Sequence, residues 1–227
     1  MATDPLAAVD ALIADRHLLR HPFYTAWREG ALTRAALRTY AAQYYHHVRA
    51  FPDFIGLLYD RCDDPAIRSA LAENLRDEQD GPENHPALWL RFARAVGCAE
   101  GEAASARPEP ETTEAIAAFR RAVAEGPVTR GLAALYAYEV MVPAVAAEKI
   151  RGLAEHYGIE GPPGTDYFEV HRTMDVRHAA ETRAHLAAQL EMDGDRAEAM
   201  AGAGAALAAV NGLLDGVCRV HRIARAA

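Results

Sequence analysis

The chain has 227 residues, of which 51% are hydrophobic and 25% are charged, a composition typical of one soluble globular domain spanning residues 1–227. Its 50 alanines and an aromatic content of only 7% favour helix over strand and argue against an all-β fold. The net charge of −8, with arginines scattered along the chain, argues against a nucleic-acid or membrane partner, since either needs a clustered basic face.

Helix start and stop signals divide nearly the whole chain into helices. Thr3 or Asp4 is the predicted N-cap of the first helix, with Pro5 at its first helical position. Thr33 caps another helix, which is predicted to run to Pro52. The remaining helices are predicted at residues 22–29, 53–61, 65–79, 84–96, 111–124, 128–157, 166–189 and 195–223. The implied fold is all-α, a single-domain bundle of about seven principal helices with pockets between them.

Two features bear on the location of the protein. The N-terminus has no basic region ahead of an apolar stretch, so no signal peptide is predicted. The three cysteines form no CxxC pair, which predicts buried thiols in a reducing cytoplasm rather than disulfides or a thiolate zinc site.

The longest uncharged run, Ala199 to Leu214, consists mostly of alanine and glycine. It is shorter than the ~18 strongly apolar residues that a membrane span requires, so it is predicted to form a tightly packed buried helix. Its small residues also allow another helix to approach closely, which makes a homodimer interface a second expectation for this segment.

The helix predicted at 166–189 carries a polar stripe. His171, Asp175 and His178 stand at i, i+4 and i+7, so their directions fall within about 60° of one another, and Tyr167 lies on the same stripe. Two imidazoles and a carboxylate so arranged can bind iron, manganese or zinc. A solvated polar face accounts for the same pattern, because charged residues flank the stripe, so this segment alone leaves both interpretations open.

Three further residues extend this constellation. Glu78 and His85 are seven residues apart across Gly81 and Pro82, and Glu139 lies in an otherwise apolar helix. A carboxylate among so much apolar surface is costly to bury unless it pairs with an arginine or binds a metal. Together the set supplies three carboxylates and three imidazoles, the ligands typical of dinuclear iron or manganese sites that activate oxygen. Against two divalent ions, the carboxylates leave about one positive charge.

The ordered pattern of these six residues resembles the haem-oxygenase-like dimetal oxidases, which share a seven-helix fold with TenA-type thiaminases and the pyrroloquinoline-quinone synthesis oxidase. The resemblance covers essentially the whole chain. Within that family it is closest to the self-sacrificing para-aminobenzoate synthases, among them the chlamydial protein associating with death domains. The resemblance implies metal ligation by Glu78, His85, Glu139, His171, Asp175 and His178, and counterparts of that branch's other functional residues at Tyr24, Tyr40, Tyr138, Tyr167 and Lys149.

The resemblance also implies the reaction. Tyr24 would supply the aromatic ring of para-aminobenzoate and Lys149 its amino nitrogen, in a single turnover. Tyr40, Tyr138 and Tyr167 would support radical transfer or position the ring. The cofactor would be an Fe/Fe, Mn/Mn or Fe/Mn pair, with dioxygen and an external reductant of unknown identity as co-substrates.

Lys149 stands out even without the resemblance. It is the one lysine among 24 basic residues, which indicates a position where arginine cannot substitute, although chance explains a lone lysine equally well. A buried lysine can become a neutral nucleophilic amine, whereas guanidinium stays protonated.

Other functions remain open from the sequence. A dimetal oxygenase of an external substrate, of the N-oxygenase or fatty-acid decarboxylase type, would keep the six ligands without needing Tyr24 or Lys149. A non-enzymatic helical interaction module would leave the ligand set unexplained. A thiaminase is disfavoured because the helix around Glu139 carries no nucleophilic cysteine.

Overall fold

The computed structural model of the protein describes residues 4–193 and 195–224. Within these residues the chain forms helices and connecting turns, with no strand among them. A short 3₁₀ turn at Leu18–Arg20 separates the first two helices. The α-helices are α1 (Ala7–Asp15), α2 (Pro22–Arg28), α3 (Arg34–Arg61), α4 (Pro65–Gln79), α5 (His85–Ala95), α6 (Glu100–Ser105), α7 (Pro110–Ala124), α8 (Val128–Glu139), α9 (Val142–Tyr157), α10 (Asp166–Asp193) and α11 (Arg196–His221).

The helix predicted over residues 128–157 is two helices in the structure, because the helix is interrupted between the end of α8 and the start of α9. Pro143 lies four residues after Glu139 and has no N–H to donate to the Glu139 carbonyl, so α8 ends at that residue. If α8 and α9 are counted as one bent helix, the long helices of the described chain number seven, as the sequence predicts.

Pro52 does not end a helix, and the predicted division at that residue is wrong. α3 continues from Arg34 to Arg61 with Pro52 inside it. A proline in a helix interior costs about 3 kcal/mol. Here the neighbouring Phe51, Phe54 and Ile55 are all buried in the core, and their packing offsets that cost.

The helix starts are only partly as predicted. Thr33 caps α3 by accepting a hydrogen bond from the backbone N–H of Ala36. α1 begins at Ala7 rather than Pro5, and the Asp4 carboxylate accepts a hydrogen bond from the backbone N–H of Leu6 in the preceding turn. Thr3, the other predicted cap, lies outside the described residues.

α11 is the small-residue helix predicted from the run Ala199–Leu214. Gly202 lies so close to the backbone oxygen of Arg130 that a Cβ atom there would collide with it, which shows how closely α11 packs on α8. Within the described chain, α11 is the helix long and apolar enough to cross a membrane, but 61% of its most apolar window is buried inside the protein. Most of this helix therefore belongs to the core. The three cysteines are free and buried, as the sequence predicts.

Two long helices organise the rest of the bundle. α10 packs against α9, α8, α4 and α5, while α3 packs against α7, α4 and α5. Polar side chains of α4, α5, α8 and α10 meet in the space that these contacts enclose.

Candidate metal centre and tyrosine–lysine pocket

Glu78 and His85 are brought together by the short turn between α4 and α5. Glu78 lies near the end of α4 and His85 is the first residue of α5, with Gly81 at φ 78° in the turn between them. Glu78 Oε2 lies 2.7 Å from His85 Nδ1, and both side chains are buried. Burial opposes a positive charge on His85, but Glu78 and Asp175 outweigh it and raise the pKa of the imidazole.

α10 carries the polar stripe that the i, i+4, i+7 spacing of the sequence predicts. His171 Nδ1 lies 2.7 Å from the carbonyl of Tyr167 and donates to it, which leaves Nε2 as the basic nitrogen. The His171 ring centroid is 4.2 Å from that of His85. Potential ligand atoms of Glu78, His85 and His171 all lie within 4.8 Å of one another. Three of the six predicted ligands, from three different helices, therefore share one site.

The other two α10 residues adjoin each other. Asp175 Oδ1 lies 3.6 Å from His178 Nδ1. On the opposite side of the ring, His178 Nε2 lies 3.0 Å from Asp77, a carboxylate that Arg177 also contacts. Burial disfavours the imidazolium, but the carboxylates of Asp175, Glu139 and Asp77 raise the pKa of His178 to about 9. Asp77 thus orients His178 so that its Nδ1 faces Asp175.

Glu139 is the last residue of α8 and is 1% exposed. Asn74 Nδ2 donates a 2.6 Å hydrogen bond to Oε1, whereas Oε2 has no hydrogen-bond partner in the described chain. Burial and the neighbouring Asp175 raise the pKa of Glu139 to about 8, and burial raises the pKa of Asp175 to about 6. Burial thus favours the protonated, neutral form of both carboxyl groups. A cation bound beside them would stabilise the anionic form at neutral pH.

The donor set fits a metal centre. Two buried ligand atoms, Glu139 Oε2 and His178 Nδ1, have no hydrogen-bond partner, and His85 Nδ1 meets Glu78 without hydrogen-bond geometry. Buried polar groups are normally satisfied, so these unpaired ligand atoms are consistent with cation binding. Carboxylate and imidazole donors without thiolate suit iron or manganese.

A small cavity of about 10 Å³ lies at this site, and a second of about 10 Å³ is lined in part by Lys149. Tyr138, Tyr167 and His171 line both cavities, so the two predicted regions share a wall.

Lys149, on α9, is 4% exposed and surrounded by aromatic rings. Its Nζ lies 5.1 Å from the ring centroids of Tyr40 and Tyr44 and 5.7 Å from that of Tyr24. Burial lowers the pKa of Lys149 to about 7, so a substantial fraction of the amine is neutral at physiological pH.

Tyr24, on α2, is completely buried. Its hydroxyl and that of Tyr40 have no hydrogen-bond partner in the described chain, and burial raises the pKa of both well above the usual value. The two phenols are therefore neutral.

Sequence reasoning missed three residues that join these parts. Tyr44 lies 3.1 Å, hydroxyl to hydroxyl, from Tyr138, and Trp89 stacks on Tyr44 at 5.0 Å and meets Tyr167 at 4.8 Å. Asn74 is the third, through its bond to Glu139. Each lies one turn from a predicted residue on its own helix, because Tyr44 follows Tyr40, Trp89 follows His85 and Asn74 precedes Glu78 by four positions. This four-residue spacing is the sequence signal that could have identified the three residues.

Comparisons with solved structures show the fold. The chain is similar to a CADD-like protein of unknown function from Nostoc punctiforme, with a TM-score of 0.79 and 17% identity over 95% of this chain and 96% of that one. It is also similar to a TenA homolog from Pseudomonas syringae, with a TM-score of 0.77 and 16% identity over 94% and 91% of the two chains. A domain from Shewanella denitrificans that is described as having a heme oxygenase-like fold matches with a TM-score of 0.79 and 19% identity over 97% of this chain and 94% of that one, so the bundle is haem-oxygenase-like, as predicted.

Comparisons with known sequences are more specific. The chain is 40% identical over 218 residues to 4-aminobenzoate synthase of Nitrosomonas europaea, covering 92% of this chain and 89% of the relative. It is 40% identical over 191 residues to 4-aminobenzoate synthase of Chlamydia muridarum, covering 84% and 81%. Residues 38–211 match the family model described as iron-containing redox enzyme. The protein is therefore an oxidase or oxygenase with a metal centre, and it belongs to the haem-oxygenase-like family of iron-containing redox enzymes.

Proposed function

We propose that the protein is an oxygen-dependent dimetal oxidase that makes 4-aminobenzoate from its own Tyr24 side chain, with Lys149 as the amino donor, once per chain. The observation that carries this proposal is the environment of Lys149. The one lysine of the chain is buried beside the Tyr24 ring, and its cavity shares a wall with the candidate metal centre. The names of the 40% identical relatives give independent support.

In the proposed centre, two metal ions are held by Glu78, His85, Glu139, His171, Asp175 and His178. Bound iron or manganese would supply dioxygen activation, with electrons from an external reductant. The protein keeps this region dry, since each of the six residues is at most 4% exposed. Asn74 and the Tyr167 carbonyl hold Glu139 and His171 in place through hydrogen bonds.

The tyrosines connect the two cavities. The rings of Tyr40 and Tyr44 lie beside Lys149 with their centroids 5.3 Å apart, and Tyr44 is hydrogen-bonded to Tyr138, which lines both cavities. The ring centroid of Tyr167 lies 4.1 Å from that of His171, one of the proposed metal ligands. We propose that Tyr40, Tyr138 and Tyr167 carry oxidising equivalents toward Tyr24 or hold its ring in position.

Lys149 contributes an amine that can act as a nucleophile. In its neutral form it carries a lone pair, and no carboxylate pairs with it in the described chain. The buried thiols suit a reducing compartment, and we propose that the protein acts in the cytoplasm.

The test uses metal-loaded protein with dioxygen and a reductant but no added substrate. We expect release of 4-aminobenzoate at no more than one equivalent per chain, with a fragment lost at Tyr24 and a changed Lys149 in the intact mass. Lys149→Arg and Tyr24→Phe should abolish the product while retaining metal. Tyr45→Phe is the matched control, because Tyr45 lies on α3 beside Tyr44 but lines neither cavity.

Normal product yield from folded, metal-bound Lys149→Arg or Tyr24→Phe protein would refute the sacrificial mechanism. Turnover of an added amine or fatty acid would instead support a dimetal oxygenase of an external substrate.

A further inference from the structure

The six proposed ligands are so deeply buried that a cation must pass through the protein to reach them. A third cavity, besides the two described above, touches this set at His178. The two cavities described above are lined by buried residues throughout. The third, of about 10 Å³, lies between α4, α8 and α10 and includes half-buried residues that reach solvent. Its lining comprises Ile67, Ala70, Leu71, Asn74, Leu132, His178, Glu181, Thr182 and His185.

One side of this third cavity is polar. His178, Thr182 and His185 continue the ligand stripe of α10 toward its C-terminus, with Glu181 beside them. His185 and Glu181 are half-buried at the outer end, whereas Thr182 and His178 are buried at the inner end. Successive turns of a helix are about 5.4 Å apart, so donors follow one another at short intervals from solvent to the proposed centre.

Asn74 provides an acceptor at the inner end. It is 4% exposed and lines the cavity, and its Oδ1 has no hydrogen-bond partner in the described chain. Its Nδ2 is already used, because it donates to Glu139. A buried amide oxygen without a partner is unusual, and a passing cation would satisfy it.

The charges around the entrance favour a cation at Glu181. Arg177 is the nearby positive group, and it is engaged by Glu73 and Asp77. Its distance to Glu181 is 3.9 Å, so it holds that carboxylate only loosely. Apart from Asn74 at its inner end, the opposite wall is apolar, which directs a cation along the α10 side.

We propose that this cavity is the entry route for the divalent cations of the metal centre, with Glu181 and His185 as the first, transient ligands and Thr182 and Asn74 as the inner ones. The inference rests on the dimetal site proposed above.

The first test measures the rate of metal uptake. Chelator-treated full-length protein is mixed with Mn²⁺ in a stopped-flow instrument, and the final metal content is determined by mass spectrometry. The double substitution Glu181→Gln with His185→Gln should slow uptake about tenfold, because the carboxylate no longer attracts the ion, and should leave the final metal content unchanged. Glu191→Gln, at an exposed position on the same helix, is the matched control.

The second test blocks the cavity. Ala70→Phe places a bulky ring in the lining and should also slow uptake, whereas Ser69→Phe, at an exposed position one residue away, should not. Unchanged rates in both the double variant and Ala70→Phe would overturn the route. A lower final metal content in the double variant would make Glu181 and His185 ligands of the centre and would also overturn it. If wild-type protein binds no Mn²⁺ or Fe²⁺, the metal site itself fails, and the route fails with it.

Discussion

Lys149 shows how burial converts a common side chain into a reactive one. An exposed lysine is almost always protonated at neutral pH, whereas burial lowers the pKa of this amine to about 7. The surrounding rings stabilise its cationic form only weakly, and no acidic partner among the described residues restores the pKa. The residue that the sequence singles out by composition is therefore also unusual in its chemistry.

This pKa predicts a pH-dependent stability. The folded pKa of about 7 lies below the ordinary value of 10.5, so between these values the unfolded chain binds more protons than the folded one. The free energy of unfolding should therefore rise with pH in wild-type protein relative to Lys149→Met, by up to about 1.4 kcal/mol per pH unit within this window. Urea unfolding of both chelator-treated proteins from pH 6 to 9 measures the difference. A constant difference would contradict a depressed pKa.

At the scale of single helices, two prolines affect the helix around them differently. Pro143 ends α8 and so places Glu139 at a helix terminus facing the site, while Pro52 is accommodated inside α3. Both prolines remove one backbone hydrogen bond, and the surrounding core decides whether the helix survives that loss. Local sequence signals could therefore not distinguish the two cases.

The contact between α11 and α8 predicts opposite effects at two helical glycines. Gly202→Ala should destabilise the protein by about 1–3 kcal/mol, because its Cβ collides with the Arg130 backbone. Gly212→Ala, in the same helix with nothing within 4 Å of the added Cβ, should stabilise it by about 0.5–1 kcal/mol through helix propensity. Urea midpoints of the two variants provide the comparison. Equal effects would show that α11 does not pack as described.

At the scale of the whole molecule, the candidate centre joins four helices that are distant in sequence. Its proposed ligands come from α4, α5, α8 and α10, so metal binding should stabilise the entire bundle by mass action.

We expect Mn²⁺ at a hundredfold excess over its dissociation constant to add about 2.7 kcal/mol to the unfolding free energy for each ion bound. For a chain of this size, that corresponds to a rise in Tm of about 5–10 °C. His171→Ala should lose most of this rise, whereas Lys149→Met, which removes no proposed ligand, should keep it. Differential scanning calorimetry with and without Mn²⁺ decides, and an equal rise in the His171→Ala variant would argue against ligation by that residue.

Much of this architecture follows from the sequence. Alanine content and apolar periodicity predict an all-α bundle, and the i, i+4, i+7 spacing predicts that His171, Asp175 and His178 share a stripe, because the period of a helix is a local property. The convergence of Glu78, His85 and His171, the pKa of Lys149, the link through Tyr44 and Trp89 and the cavity beside Glu181 depended on the tertiary structure. Distances across helices and the burial of a charge are set by how helices pack, and side chains far apart in the chain determine that packing.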